Sequence, residues 1–79
     1  MANIVDRQKF NDKIIKLGNN IRKIRKDKKI TQTEMSAVIG GNKGHISRIE
    51  NGKHSLTLIS LMVIADFLEV SVKELFEFE

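Results

Sequence analysis

Lys43, Gly44, Ser47 and Arg48 follow one another at steps of one, three and one, a spacing that places all four on one face of a helix. That face offers an ammonium, a hydroxyl and a guanidinium, with no carboxylate before Glu50. Its chemistry is hydrogen-bond donation to an electron-rich partner, not bond making. Covalent catalysis finds no comparable set. The chain has no Cys, no acid pair, no nucleophile beside a base and no glycine loop of the kind that cradles phosphate. His45 and His54 lie nine residues apart with no third ligand in sight, which argues against a metal site. The sequence thus reads as a non-enzyme with no cofactor and no metal.

The charge distribution points the same way. Net charge is +4 over 79 residues, but residues 1–39 hold ten Lys/Arg against four Asp/Glu, and residues 40–54 hold three against one. Residues 55–79 reverse this, with one Lys against five acids. A basic front and an acidic tail imply one side turned to a polyanion and another turned away. The first ten residues lack the apolar core of a signal peptide, and no run approaches the ~18 apolar residues of a membrane helix. With Cys absent, a cytoplasmic location and no membrane partner are expected.

The elements that must position the donor face are helical. Apolar residues make up 41% of the chain, Pro is absent and five Gly supply the turns. Phe10, Ile14, Leu17, Ile21 and Ile24 repeat at steps of four and three, predicting a helix from about Arg7 to Lys28. Gly18-Asn19-Asn20 inside it is poor helix material and marks a possible break. The opposite face carries Lys13, Lys16, Arg22, Lys23, Lys26 and Lys29 and reads as solvated. Thr31 and Glu34 form a capping box for a second helix with Met35, Val38 and Ile39 on its inner face. Gly40-Gly41 stops it. Asn42 caps a third helix with Ile46 and Ile49 inward, ended by Asn51-Gly52. Thr57 caps a fourth helix to about Leu68, with apolar residues at 58, 61, 62, 64, 65 and 68. Ser71 caps a last short one holding Val72, Leu75 and Phe76. The expectation is one compact all-α domain of five helices. Residues 1–16 form an N-terminal helical extension, and residues 17–79 carry a helix-turn-helix from about Gln32 to Asn51. A tight turn of this kind projects its second helix, here Asn42–Glu50, from the body, where it fits the major groove of B-DNA.

From about Leu17 to Phe76 the chain resembles the lambda-repressor-like, Cro-type helix-turn-helix family, also called the xenobiotic-response-element family. The likeness rests on the joint order of Ile21-Arg22-Lys23-Ile24-Arg25, Ile30-Thr31-Gln32-Thr33-Glu34-Met35, Ile46-Ser47-Arg48-Ile49-Glu50-Asn51-Gly52 and the Leu61 to Phe76 segment. The resemblance implies that Lys43, Gly44, Ser47 and Arg48 face base edges, with Arg48 and Lys43 suited to guanine O6 and N7. It implies backbone phosphate contacts for Gln32, Asn42 and Asn51, to which Arg22 and His45 are added. It implies a structural ion pair between Arg25 and Glu50. For His45 a solvent-exposed ring is the alternative, and His54 reads equally as a phosphate contact or a surface residue. The chain departs from the family's pattern at Ser36, where relatives carry Ala, and at Gly41 and Gly44. Gly44 leaves no side chain at a reading position, so a shorter list of base contacts and more reliance on DNA shape are expected.

Ile59 and Val63, one turn apart where relatives are mostly polar, join Met62, Phe76 and Phe78 in a candidate dimer face. The alternative is that the extended first helix folds back over them. The loop Lys53–Leu58, without the proline many relatives have there, resembles that of the controller proteins of restriction–modification systems. The resulting expectation is a homodimeric, sequence-specific transcriptional regulator of double-stranded DNA on a pseudo-palindromic operator. A different class, an antitoxin or protein-interaction module of the same fold, would instead use the apolar face for an as yet unknown protein partner, with Met1–Gln8 as its flexible segment.

Overall fold

The computed structural model describes residues 7–53 and 56–79. Among them the chain is all-helical, with α1 Arg7–Asp27, α2 Gln32–Ile39, α3 Lys43–Glu50, α4 Leu58–Leu68 and α5 Val72–Leu75. The starts of α2, α3, α4 and α5 carry the capping groups that the sequence supplies. The hydroxyls of Thr31, Thr57 and Ser71 and the side-chain oxygen of Asn42 accept from backbone N–H groups of their first turns. Capping boxes are complete at Thr31–Glu34 and at Ser71–Glu74. Such caps satisfy amides that lack a partner within the helix. Gly40 and Gly41, at φ 87° and 89°, make the turn between α2 and α3, a conformation that side chains with a Cβ resist.

Ile21, Met35, Ile46, Ile49, Ile64, Leu68 and Leu75 are fully buried, joined by Leu17 and Ala65. All five helices therefore feed one core. Helix α3 packs against both α1 and α2, α2 also rests on α4, and α5 lies against α1 and α4.

Helix α1 runs unbroken through Gly18-Asn19-Asn20, contrary to the break considered from sequence. A Cβ on Gly18 would fall against the carbonyl oxygen of Ile49 and 2.8 Å from that of Glu50. Glycine there lets α1 lie directly on the end of α3, and that packing outweighs a propensity deficit of about 1 kcal/mol. Asn20 is equally specific: its Nδ2 donates to the carbonyls of Glu74 (3.0 Å) and Leu75 (2.8 Å), closing the end of α5 onto α1.

Other expectations need correction. Val38, read as an inner residue, is 50% exposed, because the burial of Met35 and Ser36 turns that side of α2 outward. Phe10, Leu58 and Phe76 are also exposed. Phe10 lies on the part of α1 that precedes its core residues, and Phe76 is the C-cap of α5, outside the helix. Residues 1–6 of the N-terminal extension lie outside the described residues, and from Arg7 the extension is continuous with α1.

Gly18→Ala should lower stability by about 2 kcal/mol, since backbone carbonyls cannot yield to the new methyl. An unchanged or raised denaturation midpoint would contradict this account of the α1–α3 contact.

Glu34 is held below the ordinary carboxylate range, first by the Thr31 N–H and then by the Thr31 side chain. A depressed folded value stabilises above the unfolded value and is lost as pH falls through the folded one. Glu34→Gln keeps the box but removes that titration. The stability gap between the two proteins should therefore shift in the parent's disfavour below about pH 4.5, as read by melting curves across that range. A pH-independent gap would refute the assignment.

Candidate nucleic-acid interface

Burial fixes how α3 is rolled. Ile46 and Ile49 face inward without exposure, so Lys43, Gly44 and Arg48 stand on the open side with Ser47 half-buried beside them. This is the donor face proposed from spacing, now on one exposed helix surface. Asn42 Oδ1 accepts from the His45 N–H (3.0 Å), and Asn51 Nδ2 donates to the Ser47 carbonyl (2.8 Å) and hydroxyl (3.3 Å). The two asparagines thus close α3 at its two ends. The half-buried His45 ring packs at the Gly41 turn, where a Cβ on Gly41 would come within 3.2 Å of Cδ2. His54 lies outside the described residues.

Glu50 is the one acid of α3, and the fold removes it from the open face. It is 1% exposed and Arg25 6%. Arg25 Nε donates to Glu50 Oε2 (2.6 Å), Nη2 to Oε1 (3.1 Å) and Nη1 to the Ile30 carbonyl (2.7 Å). Gln32 Nε2 donates to the same Oε1 (3.0 Å). The two-pronged contact matches the planar guanidinium to the carboxylate. It ties α1, the α1–α2 turn, α2 and α3 to one buried charge pair. Ser36, the departure at the α2 crossing, is buried and returns its hydroxyl to the Thr33 carbonyl (2.7 Å).

Beside α3 lies a cleft between the end of α1 and the start of α2, lined by Arg22, Lys26, Lys29, Gln32, Thr33 and Lys43 among others. Arg22, Gln32 and Lys43 were singled out from sequence, whereas Lys26 and Lys29 were read as ordinary solvated charge. Steps of four and three from Arg22 to Lys26 to Lys29 were the signal that could have found them. No group of His and acids able to hold a metal occurs among the described residues. No helix among them is long and apolar enough to cross a membrane.

On the far side, Ile59 and Met62 are 73% and 55% exposed, and Phe76 is exposed as well. Among the described residues, helix α1 (Arg7–Asp27) leaves Ile59 and Met62 open, contrary to the alternative that the first helix folds back over this face. Val63 is half-buried. Phe78 packs against the core, its ring centroid 6.4 Å from that of Phe76.

Two short helices around a glycine turn, the second presenting donors beside a basic cleft, define a helix-turn-helix DNA-binding regulator. The chain belongs to the Helix-turn-helix family of the xenobiotic-response-element type, whose model matches residues 21–75. It is similar to the control protein C.MunI of Mycoplasma sp., 37% identical over 68 residues that span 85% of this chain and 92% of that one. It is also similar to the HTH-type transcriptional regulator y4dJ of Sinorhizobium fredii, 36% identical over 75% of this chain and 77% of that one. The 10 kDa protein of the ImmF control region of Bacillus phage phi105 is 35% identical over 81% and 73% of the two chains. The fold matches that of the restriction–modification controller protein C.AhdI from Aeromonas hydrophila. The TM-score is 0.78 at 23% identity, covering 84% of this chain and 96% of that one.

Arg25→Met would leave the Glu50 carboxylate buried without its counter-charge, and should destabilise the fold by about 3–5 kcal/mol. A chemical denaturation series checks this, and a loss below about 1 kcal/mol would show that the pair is dispensable.

Proposed function

We propose that the protein is a sequence-specific regulator of transcription that binds double-stranded DNA as a homodimer on a pseudo-palindromic site. The observation that carries this reading is the open face of α3, where Lys43 and Arg48 stand exposed while its one acid is buried against Arg25. Arg48 and Lys43 supply the base contacts, through the acceptors of guanine in the major groove. Gly44 lets the backbone approach where a side chain would stand, and Ser47 adds a hydroxyl. Gln32, Asn42, His45, Asn51 and Arg22 set the register on the phosphates. The similarity to control proteins of restriction–modification systems supports a place among such controllers, acting in the cytoplasm without an enzymatic step.

Dimerisation uses the outer face of α4, with Ile59, Met62 and Val63, together with Phe76 and Phe78. The exposed Ile59, Met62 and Phe76 side chains favour burial against a second copy. Two-fold pairing would set the reading helices about 34 Å apart, one turn of DNA. The antitoxin reading requires a different protein on this same face.

Selection from a random duplex pool should return a two-fold symmetric site. Binding to it should weaken steeply with salt as counterions are released. Arg48→Ala should reduce preference for the selected site by about 1–3 kcal/mol. Sedimentation should show a dimer, and Ile59→Asp a monomer. Equal affinity for selected and random duplexes at moderate salt would defeat the regulator reading. A parent chain that stays monomeric at high micromolar concentration would assign the apolar face to another protein.

A further inference from the structure

Lys29 combines an unusual backbone with a specific location. Its φ is 59°, in the left-handed region that a Cβ disfavours. The position closes α1: the Lys29 N–H reaches the Lys26 carbonyl (2.9 Å) and the Ile30 N–H the Arg25 carbonyl (3.1 Å). That pair of bonds is the helix-ending arrangement in which glycine is the low-energy choice. Among the described residues the other positions of positive φ are Gly40, Gly41, Gly52 and Glu69, and Glu69 ends α4 with the same pair of bonds. Lysine at 29 therefore stands where glycine would be the lower-energy choice. What sets Lys29 apart from Glu69 is where its side chain lies.

The side chain lines the basic cleft, in company with Arg22, Lys26 and Lys43 and with the first turn of α2 at Gln32 and Thr33. The start of a helix carries the positive end of its dipole and favours an anion. The cleft adjoins the donor face of α3 through Lys43, so a strand lying along α3 would carry its phosphates past it. Glu69, the other non-glycine residue at positive φ, ends α4 in the acidic part of the chain.

We propose that Lys29 is a phosphate anchor for the DNA backbone, with Lys26 beside it, and that the left-handed turn is kept as lysine for that contact. The anchor deepens the regulator reading, since it names how that site holds its duplex. It sets affinity and register, not base preference.

Lys29→Gly separates this from a structural role because it moves stability and binding in opposite directions. Relief of the backbone should raise the folding equilibrium constant about two- to fivefold. Affinity for the selected duplex should meanwhile fall roughly five- to tenfold per protomer at about 0.1 M salt, and the slope of log K against log salt should shrink by about 0.9 per protomer. Random duplex should lose affinity in parallel, which leaves sequence preference unchanged. Lys29→Arg should bind as the parent does. Lys28→Ala, which removes the same charge one residue away and outside the cleft, should keep nearly the full slope.

Unchanged affinity and slope in Lys29→Gly, or an equal loss in Lys28→Ala, would overturn the anchor. Because random duplex reports on phosphate contact alone, failure of sequence preference in the parent would count against the regulator reading and leave this test readable.

Discussion

One buried charge pair governs how this protein presents its surface. A carboxylate withdrawn from water must find a counter-charge with matching geometry, and Glu50 finds it in the fork of Arg25. The same guanidinium holds the Ile30 carbonyl, and the same carboxylate holds Gln32. Three helices and a turn are thereby fixed to one another at a single point. The consequence for function is electrostatic as well as mechanical. Neutralised inside, Glu50 adds no repulsion to the side of α3 that Lys43 and Arg48 share.

The glycines set the close approaches around that point. Gly18 lets α1 meet the last carbonyls of α3, and a Cβ on Gly52 would fall 2.6 Å from Ile15 Cα. Helix α1 thus rests its middle on the end of α3 while its last turns form one wall of the basic cleft. Its role is double: it supplies core residues on one side and cations on the other. The acidic residues of the last 25 positions stand on α4, α5 and the segments that follow each of them, and none of them lines the basic cleft.

The outer face of α4 shows the opposite economy. Its inner residues Ile64, Ala65 and Leu68 are buried, yet Ile59 and Met62 remain in contact with solvent. A core drawn from 79 residues is small, and burying such a face against a second copy adds apolar contact that the single chain cannot make. On the proposed function, pairing would also double the number of phosphate contacts, which matters where α3 carries glycine at one of its forward positions.

Local chemistry alone determined much of this protein. Hydroxyl and amide caps at Thr31, Asn42, Thr57 and Ser71, with glycines after α2 and α3, place α2 to α5, because capping depends on residues within a turn of each other, and the apolar repeat from Phe10 to Ile24 places α1. The donor face of α3 was legible for the same reason, since Ile46 and Ile49 define its inward side by spacing. Contacts between distant segments were not legible. Gly18 and Asn20 look like helix breakers in isolation, and only the approach of α3 and α5 turns them into packing and capping residues. Val38 reads as core by type, but the roll of α2 is decided by its neighbours. Lys26 and Lys29 are indistinguishable from solvated lysines until the α1–α2 turn brings them to Gln32 and Lys43. The sequence by itself determined the helices and the donor face of α3. Only the tertiary structure decided which charges converge, because convergence depends on distances between segments that no local pattern encodes.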